Sequence, residues 1–214
     1  MTTTTAPTAS LASVTLEVAD PEATNRFLTA LGVDAYVDAR ASEAPSTGFR
    51  GFSLALTVSQ PATVDAFLAS AVDAGATVLK PGTKSLWGYG GVVQAPDGTI
   101  WKVATSAKKN TGPATREIDD VVLLIGVEDV KATKQFYVDH GLTVGKSFGG
   151  KYAEFSSPAG SVKLALYKRR ALAKEVGVPA DGTGSHRIVL VGLADSLTDP
   201  DGFTWEAATP PTAS

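Results

Sequence analysis

One phrase occurs twice in this chain, and no other feature limits the fold as much. Residues 94–105 read QAPDGTIWKVAT and residues 198–209 read TDPDGFTWEAAT. Pro-Asp-Gly fixes φ at proline, lets aspartate bond nearby backbone N–H groups and gives glycine the positive φ that reverses a chain. Each copy therefore predicts a turn into a β-branched and aromatic strand, built in the same way in both halves. The copies disagree at one place: the residue after tryptophan is Lys102 in the first and Glu206 in the second. Neighbours on a strand point to opposite faces. If the tryptophans serve the core, Lys102 and Glu206 face away from it.

The repeat extends well upstream. SVTLEVAD (residues 13–20) and DVVLLIGVED (residues 120–129) are apolar, β-branched runs ending in acid, and an amphipathic stretch follows each. In PEATNRFLTALG, Pro21 suits a first helical turn, Phe27, Leu28 and Leu31 share a face, and Gly32 ends the helix. In DVKATKQFYVDHG the apolar positions are Val130, Phe136 and Tyr137, and Gly141 is the stop. His140 sits at that helix end, where a helix-dipole contact is expected. Strands DAYVDAR and LTVGKSF come next.

Beyond them the halves diverge. The first continues through GFSLALTVS, a helix PATVDAFLASAVDAGA, and strands TVLKP, GGVVQA and TIWKVAT. The second has strands KYAEFSS and SVKLALYK, a long connection RRALAKEVGVPADGTGS, then HRIVLVG and TWEAAT. The first half thus lacks a hairpin, and the second lacks a helix and the two strands after it. Residues 106–115, SAKKNTGPAT, are polar and aperiodic and are expected to divide the two.

Composition narrows the function classes. A chain of 214 residues with formal net charge -3 has no electrostatic pull toward nucleic acid or an anionic membrane. There is no cysteine, so disulfides, thiolate nucleophiles and thiolate metal sites are excluded, and any metal needs N and O ligands. The opening residues carry neither a basic side chain nor an apolar core, and the longest apolar run, residues 121–125, is too short to span a bilayer. A cytoplasmic protein with a disordered tail over residues 1–10 is expected. LWGYGG has no phosphate-loop lysine, and with no G-x-S-x-G elbow nothing supports nucleophilic hydrolysis. KRRALAKE (residues 168–175) reads as a solvated helical face, with an anion-binding lip over the second cleft as the other reading.

Strand, helix ending F-x-x-x-L-G or F-Y-x-x-x-G, further strands, and a close on D-P-D-G-x-x-W-E together resemble the vicinal oxygen chelate superfamily, which includes glyoxalase I, extradiol dioxygenases and bleomycin resistance proteins. LWGYGGVVQAPDGTIWKVA is similar to a phrase of bacterial glyoxalase-like proteins. The resemblance implies an α+β fold of two tandem glyoxalase-like domains, residues 11–105 and 116–209, built from paired βαβββ modules and each partly truncated. The two complete modules, residues 51–105 and 118–168, are expected to supply most of the packed core.

The resemblance also implies where a metal would lie, since metal-dependent relatives draw ligands from the first strand of each module, usually His, and the last, usually Glu. The first half offers Ser13, Ser53 and Lys102, and an ammonium has no lone pair to give. The second offers Asp120, His186 and Glu206, a set that Fe, Mn, Ni or Zn could accept. Were the protein a metal-dependent lyase, isomerase or dioxygenase, its chemistry would lie there, with Glu206 the catalytic candidate. The leading expectation is a different one: a small, flat, aromatic compound bound without an obligatory metal, as in bleomycin-resistance-type relatives. Its walls would be Trp87, Tyr89, Trp101, Tyr152, Tyr167 and Trp205, with Lys102 facing an anionic ligand group or an internal carboxylate. The partner is a small molecule rather than nucleic acid or membrane, and a homodimer is open.

Overall fold

The computed structural model describes residues 9–208, so residues 1–8 of the expected tail lie outside the described residues. The first half runs β1 (Ser13–Val18), α1 (Pro21–Leu31), β2 (Val37–Ala41), β3 (Ser46–Gly48), β4 (Phe52–Thr57), α2 (Pro61–Asp73), β5 (Thr77–Ser85), β6 (Gly88–Gln94) and β7 (Ile100–Thr105). The second runs β8 (Asp120–Val127), α3 (Val130–Asp139), β9 (Val144–Ser147), β10 (Tyr152–Phe155), β11 (Lys163–Lys168), α4 (Arg169–Val176), β12 (Gly182–Gly184), β13 (Ile188–Leu193), β14 (Leu197–Thr198) and β15 (Thr204–Ala207).

Acidic residues open the two repeated helices. Asp20 accepts from Ala23 N at 2.9 Å and Asp129 from Lys131 N at 2.8 Å, each satisfying an N–H that the first helical turn leaves free. Gly32 closes α1 at φ 71°, a conformation that a Cβ disfavours. The apolar stripe of α1 is buried at Phe27, Leu28 and Leu31. In α3 it is Tyr137 that is fully buried, while Phe136 is only partly covered. His140 caps α3, its Nδ1 2.7 Å from the Phe136 carbonyl.

Each module sets its first strand parallel to its last: β1 with β2, β4 with β7, β8 with β11, β13 with β15. The first module has no hairpin between those strands, and the last has no helix and only the short β14. The two complete modules form one eight-stranded sheet, ordered β5-β6-β7-β4-β8-β11-β10-β9, with an antiparallel seam running from Phe52↔Ile125 to Thr57↔Asp120. The two shortened modules form a five-stranded sheet, β14-β15-β13-β1-β2, joined from Ser13↔Val191 to Leu16↔Ile188. Each sheet therefore takes one module from each half of the chain. The connector over residues 106–115 is pinned to the start of α2. Gln60 donates to the Pro113 carbonyl at 2.6 Å and accepts from Thr111 N at 2.7 Å, while Asn110 accepts from Ala62 N at 2.8 Å.

One core joins the sheets. Phe52, Leu54, Leu56, Leu123 and Ile125 on one face of the larger sheet pack in the same cluster as Val14, Leu16 and Leu190 of the smaller. The helix of each first-type module reaches the other sheet: Phe27 of α1 lies 6.3 Å from the Trp101 ring on β7, and Tyr137 of α3 lies 5.6 Å from the Trp205 ring on β15.

The opposite face of the eight-stranded sheet is crossed by α4. Leu172, Ala173 and Val176 cluster there with Ala55, Val92, Ile100, Leu124 and Ala165. KRRALAKE is thus solvated on one side only: Lys168, Arg170, Ala171 and Lys174 are exposed, while Leu172 and Ala173 are buried against the sheet. Gly126 permits the contact: a Cβ there would stand 2.9 Å from Arg169 Cα and 3.1 Å from the Gly51 carbonyl oxygen, closer than side chains pack.

Candidate functional site: the cleft of the eight-stranded sheet

Alternation assigns the cleft face. Core residues Leu54, Trp101, Leu123 and Leu164 turn one way, so Ser53, Ala55 and Thr57 of β4, Lys102 and Ala104 of β7, Asp120, Val122 and Leu124 of β8, and Lys163, Ala165 and Tyr167 of β11 turn the other. The register sets Ala55 between Lys102 and Val122, and Val122 beside Lys163. This surface is apolar at its centre, with isolated charges that find partners within the protein. Lys102 pairs with Glu175 of α4, and Lys163 with Asp120 at 2.8 Å.

Helix α4 divides the cleft. On the side of β8–β11, Tyr152 and Tyr167 meet edge to face at 5.0 Å, and the Tyr152 hydroxyl donates to Glu154 at 2.6 Å. On the side of β5–β7 a cavity of about 570 Å³ stays open, lined by Thr57, Lys80, Lys84, Trp87, Lys102 and Glu175 among others. Trp87 stands at its edge with 84% of its surface exposed. Lys80 closes the end next to α4, its ammonium donating to the carbonyls of Lys174 and Glu175 at the helix C-terminus.

Two of the aromatic walls expected from sequence lie elsewhere. Trp101 and Trp205 are fully buried in the core. Trp205 Nε1 donates to the Tyr137 hydroxyl at 3.2 Å, which in turn donates to Asp199 at 2.6 Å. Tyr89 is part of the cavity lining, while its ring packs partly against the core and its hydroxyl donates to Asp65 of α2 at 2.8 Å. Tyr152 and Tyr167 do stand on the cleft face, packed in the cluster that α4 completes. Glu175, Lys80 and the cavity-lining Thr57 and Lys84 were not anticipated. The available signal for Glu175 was Leu172 and Val176 at i, i+4 inside a charge run, which marks a helix with one apolar side.

Asp120, His186 and Glu206 are not brought to one point. Asp120 opens β8 in the larger sheet and is held by Lys163. His186 stacks on Phe203 at 3.9 Å with each ring nitrogen facing a carbonyl oxygen, Nδ1 that of Arg50 and Nε2 that of Asp201 at 3.0 Å, so neither nitrogen is presented to a cation. Glu206 lies on β15 and accepts from Arg40 Nη1 at 2.6 Å, while Arg40 Nη2 donates to Glu17 at 2.8 Å. Those two bonds, to Glu17 first, hold the Arg40 pKa above its ordinary value. The corresponding face of the smaller sheet is thus filled by a guanidinium between two carboxylates. Among the described residues no group of three His, Asp or Glu side chains could hold a metal ion. A divalent metal at the position that the resemblance implies would meet Lys102 in one sheet and Arg40 in the other, and the residues present do not fit it.

Burial and nearby carboxylates act on the phenols. Tyr167 is pushed up to about 12, chiefly by burial and then by Glu175 and Glu154. Tyr152 is raised further, by burial and then by its bond to Glu154, and Tyr137 is raised by burial and then by Asp199. A folded-state value above the unfolded one favours the protonated phenol in the fold, so this stability is complete below about pH 10 and lost as pH rises. For Tyr167 the window closes at about 12. An ultraviolet absorbance titration of the native chain should show these three phenols un-ionised at about pH 10, with all tyrosines titrating near there once urea unfolds the protein. Simultaneous ionisation of every tyrosine in the native state would contradict the packing around α4.

No protein-family model matches the chain, and no curated protein does. Solved structures do. Paired modules with first and last strands parallel, meeting first strand to first strand in an eight-stranded sheet, make this the vicinal oxygen chelate fold. Glyoxalase I from Zea mays is similar over 92% of this chain and 91% of its own, at TM-score 0.57 and 12% identity. A putative dioxygenase from Bacillus subtilis is similar over 96% of this chain and 86% of its own, at TM-score 0.60 and 11% identity. No helix among the described residues is long and apolar enough to cross a membrane.

Proposed function

We propose that this protein binds a small, flat organic molecule in the cavity beside Trp87, without an obligatory metal. The observation that carries the reading is the cleft face itself. At the strands where metal-dependent relatives place their ligands, this chain sets Ser53, Ala55, Lys102, Val122, Leu124 and Ala165, and an open cavity of about 570 Å³ lies against Lys102. That volume suits a compact organic ligand. Glycines 88, 90 and 91 and the apolar Val92 and Ala104 line the cavity, with Thr57 and Thr105 as polar contacts. The exposed Trp87 indole supplies a large aromatic surface that a planar ring can stack on.

The test is a fluorescence and calorimetric titration of untagged protein with 2-naphthalenemethanol, an uncharged planar probe. Saturable binding at one site per chain is expected, weakened about three- to tenfold in Trp87→Ala, as loss of one aromatic contact implies. The melting temperature of that variant should barely move, because the indole is exposed. Absence of saturation, or affinity indifferent to Trp87, would remove the reading. So would a stoichiometric transition metal in the purified protein whose loss abolishes probe binding.

A further inference from the structure

The cavity ends at a side chain that belongs to the protein. Glu175 projects from the last turn of α4 into its lining and pairs with Lys102, the residue that the repeated phrase turns toward the cleft. Both partners keep 29% of their side-chain surface accessible, so the pair is open to competition from the cavity. Lys80, Lys84, Lys102 and Glu175 are the only charged residues in the lining, three cations against one carboxylate. Lys84 has no ion-pair partner among the described residues.

A second observation lies on the same sheet face. Ser53 is fully buried on the cleft face, two residues from Ala55, in register with Leu124, and its hydroxyl has no hydrogen-bond partner. A buried hydroxyl left unpaired is costly, and the cost disappears if a polar group reaches it. Leu124 belongs to the cluster that α4 completes, so the orphaned hydroxyl sits on the surface that α4 covers.

We propose that Glu175 occupies the place of a ligand carboxylate: an organic anion entering the cavity takes Lys102 from Glu175 and frees the C-terminal turn of α4. This rests on the cavity being the ligand site and adds the ligand's chemical class, a planar carboxylic acid in its ionised form. The released turn is the one held by Lys80 at the carbonyls of residues 174 and 175 and by Gly177 N and Val178 N on the Ala173 carbonyl. Its displacement opens the sheet surface toward Ser53.

The experiment compares 2-naphthoate with uncharged 2-naphthalenemethanol on the full chain, as wild type, Glu175→Gln, Glu175→Ala and Lys102→Met, with hydrogen exchange followed over residues 173–178. Removing the internal competitor in Glu175→Ala should tighten 2-naphthoate relative to the alcohol about fivefold, the scale set by a partly exposed ion pair. Glu175→Gln should move the same way by less, and Lys102→Met should abolish the preference for the acid. Saturating 2-naphthoate should speed exchange at residues 174–178 in wild type while the alcohol does not. If the alcohol binds but the acid shows no preference, or Glu175→Ala leaves the acid unchanged relative to the alcohol, the inference is overturned and the cavity reading survives. If neither probe binds any variant that melts as wild type does, the cavity reading fails and takes the inference with it.

Discussion

Replacing Trp205 with alanine should cost about 3–5 kcal/mol, read as a lower urea midpoint at unchanged slope. The indole is fully buried between the smaller sheet and α3, its ring 5.6 Å from that of Tyr137. The loss has a polar part as well. Trp205 Nε1 donates to the Tyr137 hydroxyl, which donates to an Asp199 carboxylate whose pKa is raised chiefly by burial. Removing the indole leaves the Tyr137 oxygen with an unused acceptor site in a dry environment, which adds to the cavity term. Trp101 is an internal control: it is equally buried, yet its Nε1 has no partner and its neighbour on α1 is Phe27. Trp101→Ala should therefore approach the same range without the polar contribution. A change below about 1 kcal/mol in both variants would show that the two repeated strands do not anchor the core.

The second large effect is expected at Gly126. Valine there would place its Cβ 2.9 Å from the Arg169 backbone, where no side-chain rotation can relieve the clash, so the start of α4 must move off the sheet. A stability loss of about 1–3 kcal/mol is expected, the usual range for overpacking. More diagnostic is its distribution. Amide exchange should accelerate through α4 and leave β4, β8 and β11 protected, because those strands are tied to each other by ladder hydrogen bonds that α4 does not share. Uniform acceleration across the sheet would mean that α4 is an inseparable part of the core.

Local physics made much of the fold legible. Strand and helix periods, the acidic residues that end the two repeated runs, and the missing pieces of the first and last modules were all readable along the chain. What could not be read was which module pairs with which. A period of two tells which face of a strand is apolar and says nothing of its neighbour, and β1 is as compatible with β4 as with β13. The site suffered from the same gap. Asp120, His186 and Glu206 were grouped because they share a half, whereas Asp120 lies in one sheet and Glu206 in the other. Lys102 was legible in type, since an ammonium facing a cleft needs an anion, but Glu175 became its partner through a helix that reads locally as a charge run. Thus the opening contrast between Lys102 and Glu206 is resolved symmetrically: each meets an internal group of opposite sign, Glu175 in one case and Arg40 in the other.

The pairing of β1 with β13 also dictates a timetable. β1, from Ser13, waits for a partner strand that begins at Ile188, much later in the order of synthesis. Until then β1 has β2 on one edge and nothing on the other, an unpaired ribbon of the kind that recruits stray strands. The eight-stranded sheet faces no such delay, because β4 and β8 are separated by one module and a pinned connector. The eight-stranded sheet can therefore be completed before the five-stranded one, so deletion of β13–β15 should be felt at β1 before it is felt in the cleft.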